Sequence, residues 1–61
     1  MTGDMYTPQE LAERYKIGLG TIYAWKLRGI GPRWVKIGGA LRYWRADVDA
    51  WEEQNTRPER G

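Results

Sequence analysis

Seven cations stand between Lys16 and Arg45 with no acid among them: Lys16, Lys26, Arg28, Arg33, Lys36, Arg42 and Arg45. Ordinary solvated surfaces intersperse both signs, so a one-sign run of thirty residues asks for an anionic partner. The flanks are opposite in sign. Residues 1–15 carry −2 and residues 46–61 carry −3 around a centre of +7, for a net +2. A basic centre between acidic ends fits nucleic acid, whose phosphates such side chains neutralise. Catalysis has little to work with. The chain lacks histidine, cysteine and serine, which removes the usual general base, the usual metal ligands and the commonest hydroxyl nucleophile. A chain of 61 residues buries only about 60% of its unfolded surface and has no room for an enclosed active site. No enzyme activity, cofactor or metal is expected.

The stretch GLGTIYAWKLRG, residues 18–29, sits inside the basic run and reads as a helix. Ile22 and Trp25 are three apart and share the inward face. The other face carries Gly20, Tyr23, Ala24 and Leu27, with Lys26 and Arg28 at its flanks. Gly20 and Ala24 present no long side chain, so the backbone can lie close to a groove floor. Thr21 offers a hydroxyl and Leu19 a surface for a thymine methyl, while a bidentate contact to guanine is open to Arg28 alone. Such a helix positions through phosphates more than it reads bases.

The elements that position this helix can be read around it. Thr7, Pro8 and Glu10 form a capping box (T-P-Q-E), and Tyr6 with Leu11 a hydrophobic staple, so a first helix runs from Pro8 to about Tyr15. Its inward face is Leu11, Ala12 and Tyr15. Ile17 and Gly18 turn into the second helix, which ends at Gly29. This is helix-turn-helix spacing with Lys16 where the turn usually has glycine, which predicts a lysine at positive φ. Val35 and Ile37 then alternate with Trp34 and Lys36, and Leu41 and Tyr43 with Arg42 and Trp44, giving a β-hairpin around Gly38-Gly39-Ala40. A two-residue loop would pair Val35 with Arg42. A three-residue loop pairs Ile37 with Leu41 and Val35 with Tyr43 and keeps one face apolar, so that register is expected. It sets Lys36 opposite Arg42 on the outer face, beside Trp34 and Trp44. A last helix spans about Arg45 to Gln54, with Val48 and Trp51 inward and Asp47 and Asp49 complementing its positive start. The expected division is one α+β domain over residues 5–54, a winged helix-turn-helix, and a flexible tail over 55–61. No apolar run approaches a membrane span of ~20 residues, and MTGDMYTPQE has no signal-peptide core. A soluble cytoplasmic chain is expected.

Four segments in this order, Y-T-P-Q-E-L-A, T-I-Y-A-W, G-P-R-W-V-K-I-G-G and L-R-Y-W-R-A-D-V-D-A-W, together resemble the excisionase family of small MerR-like winged-helix proteins, over about residues 5–52. These are recombination directionality factors of phages and mobile elements. The resemblance implies that the second helix enters the major groove of double-stranded DNA, through Leu19, Gly20, Thr21, Tyr23, Ala24, Lys26 and Arg28. It implies that the wing, with Arg33, Lys36, Gly38, Gly39 and Arg42, meets the backbone or the adjacent minor groove. Gly39 departs from relatives, which usually carry arginine or another polar residue near that position. The implied role is to bind arms of an attachment site in a bacterial host, bend the DNA and direct integrase toward excision. Partners would be the integrase and neighbouring copies of the chain. The acidic last helix (Asp47, Asp49, Glu52, Glu53) is the candidate protein-facing surface. The alternatives are a small winged-helix transcriptional regulator and a protein-interaction module anchored by Trp34 and Trp44.

Overall fold

The computed structural model of the chain describes residues 4–56. Thr7 Oγ1 accepts from the Glu10 amide at 3.0 Å and the Thr7 amide donates to Glu10 Oε1 at 2.8 Å, so the capping box is closed from both sides. Helix α1 follows over Pro8–Tyr15, as expected. It ends in a Schellman pair: the Ile17 amide donates to the Ala12 carbonyl and the Lys16 amide to that of Glu13. Helix α2, Leu19–Arg28, ends the same way, through Ile30 to Trp25 and Gly29 to Lys26. The two caps differ in residue. Gly29 takes φ 73° without strain, whereas Lys16 is held at φ 59°. The positive φ expected of the lysine is present.

Strands β1 (Met5–Tyr6), β2 (Val35–Ile37) and β3 (Ala40–Trp44) form an antiparallel sheet in the order β1-β3-β2, and helix α3 spans Arg45–Asn55. Strand β1 is unanticipated. Its two residues pair with Trp44 and Tyr43 and are too few to carry a period. Helix α3 passes the expected boundary at Gln54. The Asn55 side chain donates to the Trp51 carbonyl and the Thr56 amide to that of Glu52, so the expected tail starts as ordered helix. Residues 57–61 of that tail, and residues 1–3, lie outside the described residues. No helix among the described residues is long and apolar enough to cross a membrane.

The hairpin corrects the expected register. Val35 pairs with Arg42, Lys36 with Leu41 and Ile37 with Ala40, so the loop is the two-residue Gly38-Gly39. Both glycines have positive φ, 58° and 86°, which gives the turn whose twist matches that of the flanking strands. Turn geometry thus overrode the alternation of apolar residues. Leu41 and Tyr43 of the central strand fill the core side, and Ile37, expected beside them, is left 47% exposed at the wing. Lys36 and Arg42 are not directly opposed. They sit one step apart in the ladder, so the expected like-charge pair is absent.

Leu11, Ala12, Ile22, Leu41, Tyr43 and Val48 form the buried core, with Tyr6, Tyr15, Ile17 and Trp25 packed against it. Tyr15, Trp25 and Trp51, one from each helix, complete a triangle with ring centroids 5.3 to 6.0 Å apart. Beside it, Arg14 Nε and Nη2 donate to the two carboxylate oxygens of Glu52 at 2.7 and 2.9 Å, and the Tyr15 hydroxyl donates to Glu52 Oε2 at 2.6 Å. Glu52, expected on a partner-facing surface, is therefore spent inside the fold.

Two predictions follow from these contacts. The hydrogen bonds from Arg14 and then Tyr15 hold the Glu52 carboxyl at about 2, below its ordinary 4.5. The unfolded chain takes up that proton first, so the contribution is complete above pH ~4.5 and is lost as pH falls toward 2. Both partners are partly in water, so it amounts to ~1 kcal/mol or less. Urea denaturation from pH 6 to 2 should show Glu52→Gln flattening that part of the stability curve; an unchanged slope would remove the clamp from the account. At the other cap, Lys16→Gly should stabilise by roughly 0.5–1 kcal/mol, the left-handed penalty less the added glycine entropy. A lower melting temperature would contradict it.

Candidate nucleic-acid interface

Helix α2 turns about 100° per residue, and Ile22 and Trp25 set which side faces the core. On the opposite side lie Leu27, Gly20, Tyr23 and Ala24 in one band, with Leu19 at its edge. Leu27 is 82% exposed and Tyr23 42%. Ala24 is half-buried, while Gly20, Thr21 and Arg28 are exposed. Glycine in a helix costs roughly 0.5–1 kcal/mol relative to alanine, yet a Cβ on Gly20 would meet nothing within 4 Å. The fold does not require that glycine.

The start of α2 adds donors. Gly18 is its N-cap and supplies no side-chain cap, and the first turn holds no acid. The Thr21 amide donates to the Gly18 carbonyl at 3.1 Å, which leaves the Leu19 and Gly20 amides for an anion that the helix dipole favours. The α1 start is different, because its own Thr7 and Glu10 already occupy it.

Between α1, α2 and the hairpin lies an open cleft of about 370 Å³, lined by Pro8, Gln9, Tyr23, Lys26, Lys36, Gly39, Ala40, Leu41 and Arg42. Three cations from three elements meet there with no acid in the lining. Lys26 is held in place by Trp34, whose ring lies 4.5 Å from the ammonium nitrogen, a cation–π contact that positions the charge between helix and wing. Arg42 Nη1 donates to the Leu41 carbonyl at 2.7 Å, which leaves its remaining donors for the cleft. Tightening of the hairpin to two residues puts Gly39 and Ala40 at the cleft's rim.

The expected residues are thus gathered unequally. Tyr23 and Lys26 of the helix join Lys36, Gly39 and Arg42 of the wing around the cleft. Leu19, Gly20, Thr21 and Ala24 run along the helix beside it, and Gly38 is at the exposed wing tip. Arg33 is not brought into the cleft. It lines a separate depression with Gly29, Ile30, Gly31, Pro32 and Trp34, beyond the end of α2. Trp44, expected beside Trp34, lies elsewhere, among Asp4, Arg45, Asp47 and Asp49. Leu27, placed on the outer face by its spacing but not counted among the contacts, is the most exposed large apolar residue there. Pro8 and Gln9 line the cleft from α1 and Leu41 from β3, and no sequence signal assigns them to a site.

A helix pair and a two-residue-loop wing thus enclose a cation-lined cleft that suits an anionic partner. A family model described as a helix-turn-helix domain matches residues 5–56, most of the chain. The chain belongs to that family. A helix-turn-helix domain binds DNA in a sequence-dependent way, and the basic cleft and outward α2 face are the surfaces with the chemistry to do so. No curated protein and no solved structure significantly matches this helix-turn-helix chain.

Each cleft cation has the chemistry of a phosphate anchor rather than of a base reader, which sets an expectation for its removal. Lys26→Ala, Lys36→Ala and Arg42→Ala should each weaken DNA binding at every sequence alike and lower the salt slope by ~1, the share of one phosphate contact. Arg33→Ala, outside the cleft, should change the slope less. Since Lys36 has no like charge opposite, its removal should leave the stability of the free protein unchanged. A change of base preference at one position in any cleft variant would make that residue a reader instead.

Proposed function

We propose that this domain is a DNA-bending accessory factor that acts in several copies on adjacent sites, an excisionase directing an integrase toward excision. The observation that carries the reading is the ratio of anchors to readers. Lys26, Lys36 and Arg42 converge on one cleft, whereas the helix beside it offers short or apolar side chains and Arg28. The wing tip is Gly38-Gly39, with no arginine for the minor groove. One copy therefore leans on phosphate more than on bases and selects sequence weakly, by a few kcal/mol at the low end of specific binders. Bending adds selectivity at base pairs that no side chain touches.

Selection of one locus then requires neighbours. The two-sign charge division supplies a head-to-tail contact that need not close into a ring. With Glu52 bound to Arg14, the acids of α3 left for a neighbour are Asp47, Asp49 and Glu53. Asp47 and Asp49 line a depression with Trp44, Asp4 and Arg45, apart from the basic cleft. An integrase in the bacterial host would meet the same acidic end. This reading is supported further by the likeness of segments 6–12, 21–25, 31–39 and 41–51 to excisionases.

The test is titration of duplexes carrying one, two or three candidate sites, with the bend followed by gel mobility. Weak binding to one site, cooperativity on several and curvature growing with occupancy are expected. Tight, non-cooperative binding to an isolated promoter site without bending would make the protein a transcriptional regulator.

A further inference from the structure

Leu19, Tyr23 and Leu27 are 36, 42 and 82% exposed, and their spacing of four places them in one stripe along the outer face of α2. A single exposed leucine is ordinary on a protein surface. Three large apolar side chains in line, turned away from the inward Trp25, form a stripe that the fold covers only in part at Leu19 and Tyr23 and hardly at all at Leu27. Leu27 could be replaced by almost any residue without disturbing the core, as little of it touches the protein. Cations border the stripe, with Lys26 on one side and Arg28 on the other, and the cleft cations Lys36 and Arg42 lie beyond Tyr23. An apolar protein partner does not need that border, but a duplex seated by its phosphates does.

The geometry points to a reading helix that selects DNA by the C5-methyl groups of pyrimidines in the major groove, with Leu19, Tyr23 and Leu27 as the specificity-determining residues. This rests on the DNA-binding reading of the same face. Thymine projects a methyl into the major groove, where guanine and cytosine present acceptors and an amino donor. A leucine over the methyl buries two apolar surfaces together. The same leucine over a G·C edge displaces water from polar atoms and returns no hydrogen bond. Discrimination therefore comes from attraction to the methyl and from rejection of the polar edge. Leu19 and Leu27 are eight residues apart, about 12 Å along the axis, enough to cover several consecutive base pairs. Gly20 and Ala24, the short residues between the stripe's members, let the helix descend until these side chains reach the base edges. 5-Methylcytosine carries the same methyl, so the shared chemistry is the C5-methyl and the source is decided by experiment.

The full-length chain is used to select sites from a randomised duplex pool, and the selected duplex is remade with deoxyuridine for thymidine at one position at a time. Where the stripe reads, loss of the methyl should weaken binding about fourfold, the ratio that burying one methyl-sized group supplies. Leu27→Ala should erase the thymine–uracil difference at one such position and leave the salt slope unchanged, which a merely structural role would not do. A cytosine put in place of a sensitive thymine is then compared with 5-methylcytosine. Stronger binding to the methylated base assigns the contact to the methyl on either pyrimidine, and equal binding confines it to thymine. Uracil and thymine duplexes bound alike at every position, or a selected site without thymine under the helix, would overturn the inference while DNA binding stands. Failure to select any sequence, together with binding that ignores salt, would remove the DNA-reading face and this inference with it.

Discussion

The meeting of Tyr15, Trp25 and Trp51 is the contact on which the functional geometry depends. Each ring comes from a different helix, so one cluster fixes α2 against both α1 and α3. Aromatic pairs contribute about 0.5–1.5 kcal/mol each beyond their area, and a domain of this size is stable by only ~3–9 kcal/mol in all. Three such pairs are a large fraction of that margin in a chain without a disulfide. Trp25 also determines what α2 shows to the outside. Once it and Ile22 face inward, Gly20, Tyr23 and Leu27 must face outward.

Polar contacts lock the same arrangement from the side. Glu52 receives both arms of the Arg14 guanidinium and the Tyr15 hydroxyl, joining the end of α1 to the later half of α3. The burial of Tyr15 and its bond to Glu52 push its hydroxyl well above the usual tyrosine range, so it stays a donor. This clamp lies away from the cationic cleft. Arg14 and Glu52 hold the helices together, and neither lines the cleft in which Lys26, Lys36 and Arg42 meet.

The wing shows how a local constraint reaches the interface. Two glycines in the left-handed region impose a two-residue turn, and that turn decides which strand residues oppose each other. The resulting register places Lys36 level with Leu41 and separates it from Arg42. Both cations then line the cleft with Lys26, instead of repelling each other across the ladder. Trp34, freed from the expected cluster with Trp44, becomes the aromatic seat for Lys26. One residue of slip in the hairpin would redistribute the cleft cations.

Local interactions made much of this protein legible from its residues. The capping box at Thr7, the Gly29 cap, the positive φ of Lys16 and the inward faces of the helices all rest on neighbours within a few positions, where spacing carries the physics. The outward face of α2 was legible for the same reason, because a helical period leaves only one side for Ile22 and Trp25. The hairpin register was not. Alternation and turn twist pulled in different directions, and the alternation argument assumed a wide buried face that Leu41 and Tyr43 alone already fill. Strand β1 was too short for any period and exists because β3 offers it an edge. The engagement of Glu52, the seat of Lys26 on Trp34 and the separation of Arg33 from the cleft join or divide residues by packing, not by sequence spacing. Only the tertiary structure could decide them, since helix packing and chain reversal set which distant side chains meet.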